Sequence, residues 1–163
     1  MTIYEKTLVT GAAGFIGSYI VDKLVNDDVS VVSLDNLSTG KMSNLKNCEN
    51  KKNHEFIKAD LSDSEKIKKS LKDIKNVFHF AADPEVRTGY NDPTSTYREN
   101  LRNTFLLLEE IRKSNIERLI FASSSAVYGD AHILPTPENY SPLLPISHYG
   151  ASKLACEAYV SSY

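Results

Sequence analysis

Five short apolar runs are spread along this chain: KTLVTG (6–11), VSVVSL (29–34), HEFIKA (54–59), NVFHFA (76–81) and ERLIFAS (117–123). Several are almost continuously apolar or β-branched, the pattern of strands buried on both faces. The stretches between them repeat at helical spacing. Ile16, Ile20 and Leu24 lie four apart, and Ile67, Leu71 and Ile74 follow a Ser62–Glu65 capping box. Tyr97, Leu101, Phe105, Leu108 and Ile111 form a longer stripe, predicting a helix over about 94–114. Strand alternating with helix needs crossover connections, so the strands run parallel with helices on both faces. Right-handed crossovers then favour a doubly wound α/β sheet. Pro135, Pro137, Pro142 and Pro145 make 130–147 a loop, and a helix resumes at Ser147. No internal repeat or second domain is visible, so 1–163 reads as one domain.

Composition narrows what such a sheet would bind. A net charge of −2 and a pI of about 6.1 give no electrostatic reason to expect nucleic acid or an anionic membrane. No apolar run approaches the ~20 residues of a bilayer span, and MTIYEKTLVTG does not read as a signal peptide. Cys48 and Cys156 are the only cysteines, without CxxC or zinc-like histidine spacing. No metal is expected, and the default compartment is the reducing cytoplasm.

The first run leads into TGAAGFIG, which sets Gly11, Gly14 and Gly17 in GxxGxxG spacing between strand and helix. Glycine is needed where backbone turns tightly and lies against a ligand, and the helix N-terminus behind it attracts pyrophosphate. A tight helix–strand contact would use the same glycines; the βαβ context favours the phosphate cradle. Asp35 ends the second strand, 18 residues after Gly17, where a carboxylate can accept from ribose hydroxyls. Its charge would repel a 2′-phosphate, which favours NAD over NADP, although Lys41 lies nearby.

HYGASK (148–153) places Tyr149 and Lys153 four apart, on one face of a helix. A phenol beside an ammonium can act as a general acid/base, yet an isolated pair is far more often a solvated surface pair. The same spacing recurs at Tyr19 and Lys23, within an ordinary amphipathic helix. What separates the two is company. The fifth run ends in FASSSAVYG, with Ser124 upstream of Tyr149, and nothing similar precedes Tyr19. Carboxyl ends of parallel strands are where such sheets bind ligands, so Ser124 and the pair could meet on one substrate hydroxyl.

In order, TGAAGFIG, LDNLSTG, ADLSD, HFAA, SSSAVYG and YGASK resemble the extended short-chain dehydrogenase/reductases. The nearest likeness is to the NAD-dependent epimerase/dehydratase branch, of the UDP-glucose 4-epimerase kind, running from residue 3 to residue 163. The resemblance implies a Rossmann-type fold and assigns roles by position. Gly11, Gly14 and Gly17 with Phe15 and Ile16 match the pyrophosphate loop. Asp35 and Asn36 match the adenosine ribose contacts, and Asp60 and Leu61 the adenine site. Phe80, Ala81 and Ala82 match the segment beside the cofactor, and Asn100 an asparagine supporting the catalytic lysine. Ser124, Tyr149 and Lys153 match the catalytic trio, the last two also contacting NAD. Tyr149 would take the proton of a sugar carbinol while its hydride passes transiently to NAD. A free phenol holds its proton to pH ~10, so positive charge from Lys153 and the nicotinamide must favour the phenolate. Ser124 would orient the same oxygen.

Two departures refine this. Family dehydratases carry acidic residues directly after the serine position; Ser125 and Ala126 stand there, so elimination of water is not expected. DPEVR (83–87) replaces a segment that carries a lysine in many UDP-galactose epimerases, and Arg87 could face a substrate phosphate or form a surface salt bridge. Family members run about twice this length, so the last strands and the substrate lobe would be absent, and the helix from Ser147 would lack packing and fray or dock. The resemblance also implies a UDP-sugar substrate and a homodimer through the helices at 94–114 and 147–163. A nucleotide-sugar reductase or dehydrogenase, and a catalytically silent NAD-binding fragment, remain as alternatives.

Overall fold

In a computed structural model, residues 5–86 and 88–163 are described. Strands β1 (Thr7–Thr10), β2 (Val31–Asp35), β3 (His54–Lys58), β4 (Asn76–His79) and β5 (Arg118–Phe121) form one sheet in the order β3-β2-β1-β4-β5. Every neighbouring pair is parallel, with Thr7 opposite both Val31 and Asn76. The order reverses between β1 and β4, which defines a topological switch point. β1 and β2 are wholly buried, while the edge strands β3 and β5 are only partly so, as their mixed polar residues require. The structure is thus the Rossmann-like parallel sheet with flanking helices that the alternation predicts.

The chain divides into two compact units, residues 1–81 with 109–122 and residues 82–108 with 123–163, where the sequence reads as one domain. The first holds the whole sheet, helix α1 (Phe15–Asn26) and helix α2 (Ser64–Ser70). Its core joins Val9 and Val31 of the sheet to Val21, Leu24 and Val25 of α1, with Leu45 and Cys48 from the loop beyond β2. Ile16 does not belong to this buried stripe: it is 57% exposed, and Gly17, Val21 and Leu24 take the inward face. Just past the Asp27 C-cap of α1, Asp28 takes the left-handed region at φ 62°, a conformation asparagine and aspartate tolerate better than most residues.

The capping box at Ser62 does not form. Asp63 caps α2, its carboxylate accepting from Lys66 N at 3.1 Å, because Ser62 is already committed to Asp60 Oδ1 at 2.6 Å.

In the second unit a short helix α3 (Thr88–Asn91) precedes α4 (Pro93–Thr96), capped by Asp92 with Pro93 in the first turn. A π-helical turn (Tyr97–Arg102) follows and leads into α5 (Asn103–Ile111). That wider turn shifts the phase of the helix. Of the predicted stripe Leu108 is buried, whereas Tyr97 and Phe105 are 58% and 38% exposed, and Thr96, Asn100, Asn103, Thr104 and Leu107 also face inward. Helix α6 (His148–Ser162) starts on Ser147, whose hydroxyl accepts from Gly150 N at 3.0 Å. It stays helical to Ser162, with Gly150, Ser152, Lys153 and Cys156 buried and Ala151, Leu154, Ala155 and Ala158 lining an open apolar groove.

Candidate active site

The site residues predicted from sequence fall into two sets, one in each unit. In the first unit, β1 turns into α1 through Gly11, at φ 66°. A Cβ at Gly11 would come within 2.6 Å of Ala81 N, and one at Gly17 would overlap the Gly11 carbonyl oxygen. Both glycines are required by the fold itself: the turn after β1 lies directly on the end of β4 and under α1. Gly14 differs, since a Cβ there would meet only Gly11 O, at 3.1 Å. Gly14 is the N-cap of α1 with no side-chain cap, and the first turn contains no acidic residue. The leading N–H groups of a helix have no intrahelical partner, so this end is open to an anion. Phe15 and Ile16, at 78% and 57% exposed, contribute those N–H groups. A pyrophosphate fits this cradle.

The loop is braced from β2 and beyond. Asp35, 7% exposed, accepts from Ala13 N at 2.9 Å through Oδ2 and from Leu37 N at 2.7 Å through Oδ1. Ala13 O in turn accepts from Asn44 Nδ2 at 2.8 Å and from Lys41 N at 3.1 Å. Asp35 therefore shapes the glycine turn. Asn36 Nδ2 donates to Asp60 Oδ2 at 2.7 Å, which ties the ends of β2 and β3, and Leu61 beside it is buried. Leu37 holds a left-handed φ of 62° at this edge, a conformation unusual for leucine. At the end of β4, Ala81 N donates to Thr10 Oγ1 at 3.4 Å, Thr10 Oγ1 is hydrogen-bonded to His79 Nδ1 at 2.7 Å, and Phe80 and Ala81 are partly buried.

In the second unit, Ser124 caps a 3-10 turn (Ser125–Tyr128), its Oγ accepting from Ala126 N at 3.2 Å. That turn packs on the start of α6: a Cβ at Gly150 would lie 2.5 Å from Ala126 O. The close approach carries Ser124 and Tyr149 on adjoining backbone. Tyr149 is half-buried, and Lys153 Nζ stands over its ring, 6.0 Å from the centroid. Lys153 is 4% exposed, and burial pulls its pKa below the usual lysine range, offset in part by Cys156. Asn100 sits in the π turn, 1% exposed, with Oδ1 accepting from Asp83 N at 2.7 Å and Nδ2 donating to Ser152 Oγ at 3.1 Å. It thus reaches α6 at the residue adjoining Lys153. Ala82 is half-buried at the head of this unit.

The second Tyr–Lys pair is a surface pair. Lys23 bridges Asp27 at 2.6 Å with its side chain 72% exposed, and Tyr19 lies edge-on to Phe15. Arg87 lies outside the described residues. Sequence reading missed Thr10, His79, Asn44, Asp83 and Ser152. These act through hydrogen bonds between distant segments, which leave no periodic signal. No group of three His, Cys, Asp or Glu among the described residues could hold a metal, and no helix there is long and apolar enough to cross a membrane.

Residues 7–163 match the model of the NAD dependent epimerase/dehydratase family. The UDP-glucose 4-epimerase of Mycolicibacterium smegmatis is 40% identical over 161 residues, which are 97% of this chain and 51% of that protein. Among solved structures, the UDP-N-acetylglucosamine 4-epimerase of Methanobrevibacter ruminantium, in complex with UDP-N-acetylmuramic acid, superposes with a TM-score of 0.91 at 42% identity, over 97% of this chain and 50% of that one. The UDP-glucose 4-epimerase of Thermus thermophilus, in complex with NAD, gives 0.87 at 38% identity, over 97% and 50%. The chain spans about half the length of the curated relatives and solved structures it matches.

Proposed function

The chain belongs to the NAD dependent epimerase/dehydratase family, and from that premise we propose that it carries the cofactor-binding and proton-transferring part of a UDP-sugar 4-epimerase. The cofactor is NAD. Gly11, Gly14 and Gly17 with the N–H groups of Phe15 and Ile16 would hold its pyrophosphate, Asp35 and Asn36 the adenosine ribose, Asp60 and Leu61 the adenine. Phe80, Ala81 and Ala82 would flank it, and Tyr149 and Lys153 would meet its nicotinamide end. When bound, NAD supplies the hydride acceptor.

The observation that carries the reading is Lys153: a lysine 4% exposed, one helical turn from Tyr149 and 6.0 Å from its ring. A lysine is almost never buried without a task for its charge. Here the ammonium stands beside Tyr149, whose phenolic oxygen would take the proton of the sugar hydroxyl and give it back when the carbinol re-forms. Ser124 donates to the same oxygen and orients it, and Asn100 supports the lysine's helix. Ser125 and Ala126 cannot serve as acid or base, so the reaction stops at epimerisation rather than loss of water. Tyr97 of the π turn, Phe105 of α5 and Tyr159 of α6 expose aromatic surface, with Phe105 edge-on to Tyr159 at 5.7 Å, which supports a homodimer through these helices.

The test is to incubate the chain with NAD and UDP-galactose and follow UDP-glucose by proton NMR. Interconversion without net NADH absorbance supports an epimerase; accumulating NADH would move the reading to a dehydrogenase of the same superfamily. Because the chain spans about half of its relatives, a second reading stands beside the first, an NAD-binding module silent by itself. Cofactor binding with no turnover would select it.

A further inference from the structure

A serine inside a helix is a mediocre choice, since its hydroxyl competes for backbone groups. In α6 the residue before Lys153 is nonetheless Ser152, and it is 7% exposed. A hydroxyl so placed must be hydrogen-bonded or it costs about 1–3 kcal/mol in desolvation. Ser152 meets the demand twice. Its Oγ donates to Tyr149 O at 2.7 Å and accepts from Asn100 Nδ2 at 3.1 Å. The other groups of the Asn100 amide are held by one neighbour: Nδ2 also donates to Asp83 O at 3.2 Å, and Oδ1 accepts from Asp83 N at 2.7 Å. Asp83 is itself fixed, its Oδ2 accepting from Ser95 Oγ at 3.1 Å and its Oδ1 from Glu85 N at 3.1 Å.

These bonds make one connected path from the 83–85 segment, through the π turn, to the carbonyl of Tyr149. Asn100 O accepts from Asn103 N within the turn and also from Cys156 Sγ of α6, at 3.6 Å. Asn100 therefore grips α6 at two points, Ser152 and Cys156, which bracket Lys153.

On the reading that Tyr149 and Lys153 form the acid/base pair, we infer that Ser152 is a positioning residue: by joining the Asn100 amide to the Tyr149 carbonyl, its hydroxyl sets the spacing between the Tyr149 ring and the Lys153 ammonium. It touches no substrate or cofactor. Its effect passes through the first turn of α6.

With Lys153 Nζ 6.0 Å from the Tyr149 ring centroid, the ring current is expected to displace the Lys153 side-chain protons in the NMR spectrum, and that displacement would read the spacing without cofactor, substrate or turnover. It is assigned by its disappearance in Tyr149→Leu. Ser152→Ala is expected to reduce the displacement by half or more while the circular dichroism of the chain is unchanged, and Ser152→Thr, which keeps the hydroxyl, is expected to retain it. An unchanged displacement in folded Ser152→Ala would overturn the inference. So would its loss in both variants, since packing and not the hydroxyl would then be responsible. Should Ser152→Ala not fold, Ser152→Cys is read in its place: a reduced displacement supports the inference, and a retained one overturns it. None of these outcomes depends on whether the chain is an epimerase.

Discussion

Asp35 braces the glycine turn and, on the proposed function, also reads the ligand. Its two oxygens accept from Ala13 N and Leu37 N, so Asp35→Ala leaves buried donors unpaired and costs about 1–3 kcal/mol, readable in the urea midpoint. Asp35→Asn keeps an acceptor but loses the charge that, on the proposed function, would repel a 2′-phosphate. The expected outcome is a preference for NAD over NADP reduced by about tenfold, roughly 1.4 kcal/mol, measured by titrating both cofactors. An unchanged preference would show that another group reads the ribose. His54 supplies a pH dependence. Burial pulls its pKa below the ordinary histidine value of 6.5, and its ring bonds Cys48 O at 3.0 Å and Ser33 Oγ at 2.9 Å. A lowered folded pKa means that the unfolded chain takes up its proton first. The contribution is complete above 6.5 and is lost as pH falls below it towards the folded value. The urea midpoint of the wild type should therefore drop more steeply than that of His54→Gln between about pH 7.5 and pH 5; parallel curves would contradict it.

Among the elements, the glycine turn separates structural from ligand-driven requirements. Ala at Gly11 or Gly17 collides with backbone that cannot retreat, so each should cost about 3 kcal/mol or more and lower the melting temperature by several degrees. Gly14→Ala, with one contact at 3.1 Å, should cost only about 0.5–1 kcal/mol yet weaken NAD binding at least tenfold. A Gly14→Ala chain that binds NAD normally would remove the pyrophosphate from this turn. The sequence made the strands, the glycine turn and the Ser147 start of α6 legible, because each depends on residues close together in the chain. The face of the long helix was not, since a π turn at Tyr97–Arg102 shifts the phase on which a stripe argument depends. The α2 cap was misread for a similar reason: Asp60 takes the Ser62 hydroxyl, and only the folded turn reveals that competition. Asn100 was legible only through family likeness; its bonds to Asp83 and Ser152 join segments far apart in sequence.

At the scale of the molecule, one compact unit holds the glycine turn and the other holds Ser124, Tyr149 and Lys153. Alternation of strand and helix led directly to the doubly wound sheet, whereas the division into units depends on which distant segments pack together. The aromatic surface at Tyr97, Phe105 and Tyr159 predicts a dimer by sedimentation equilibrium and a monomer for Phe105→Glu; a monomeric wild type would contradict that interface. The central claim is that this chain folds into a working NAD site, and titration calorimetry with NAD tests it most directly, because a chain without tryptophan gives only weak intrinsic fluorescence. The account predicts saturable binding of one NAD per chain that is weakened at least tenfold in folded Gly14→Ala. A folded wild-type chain that takes up no NAD would contradict it.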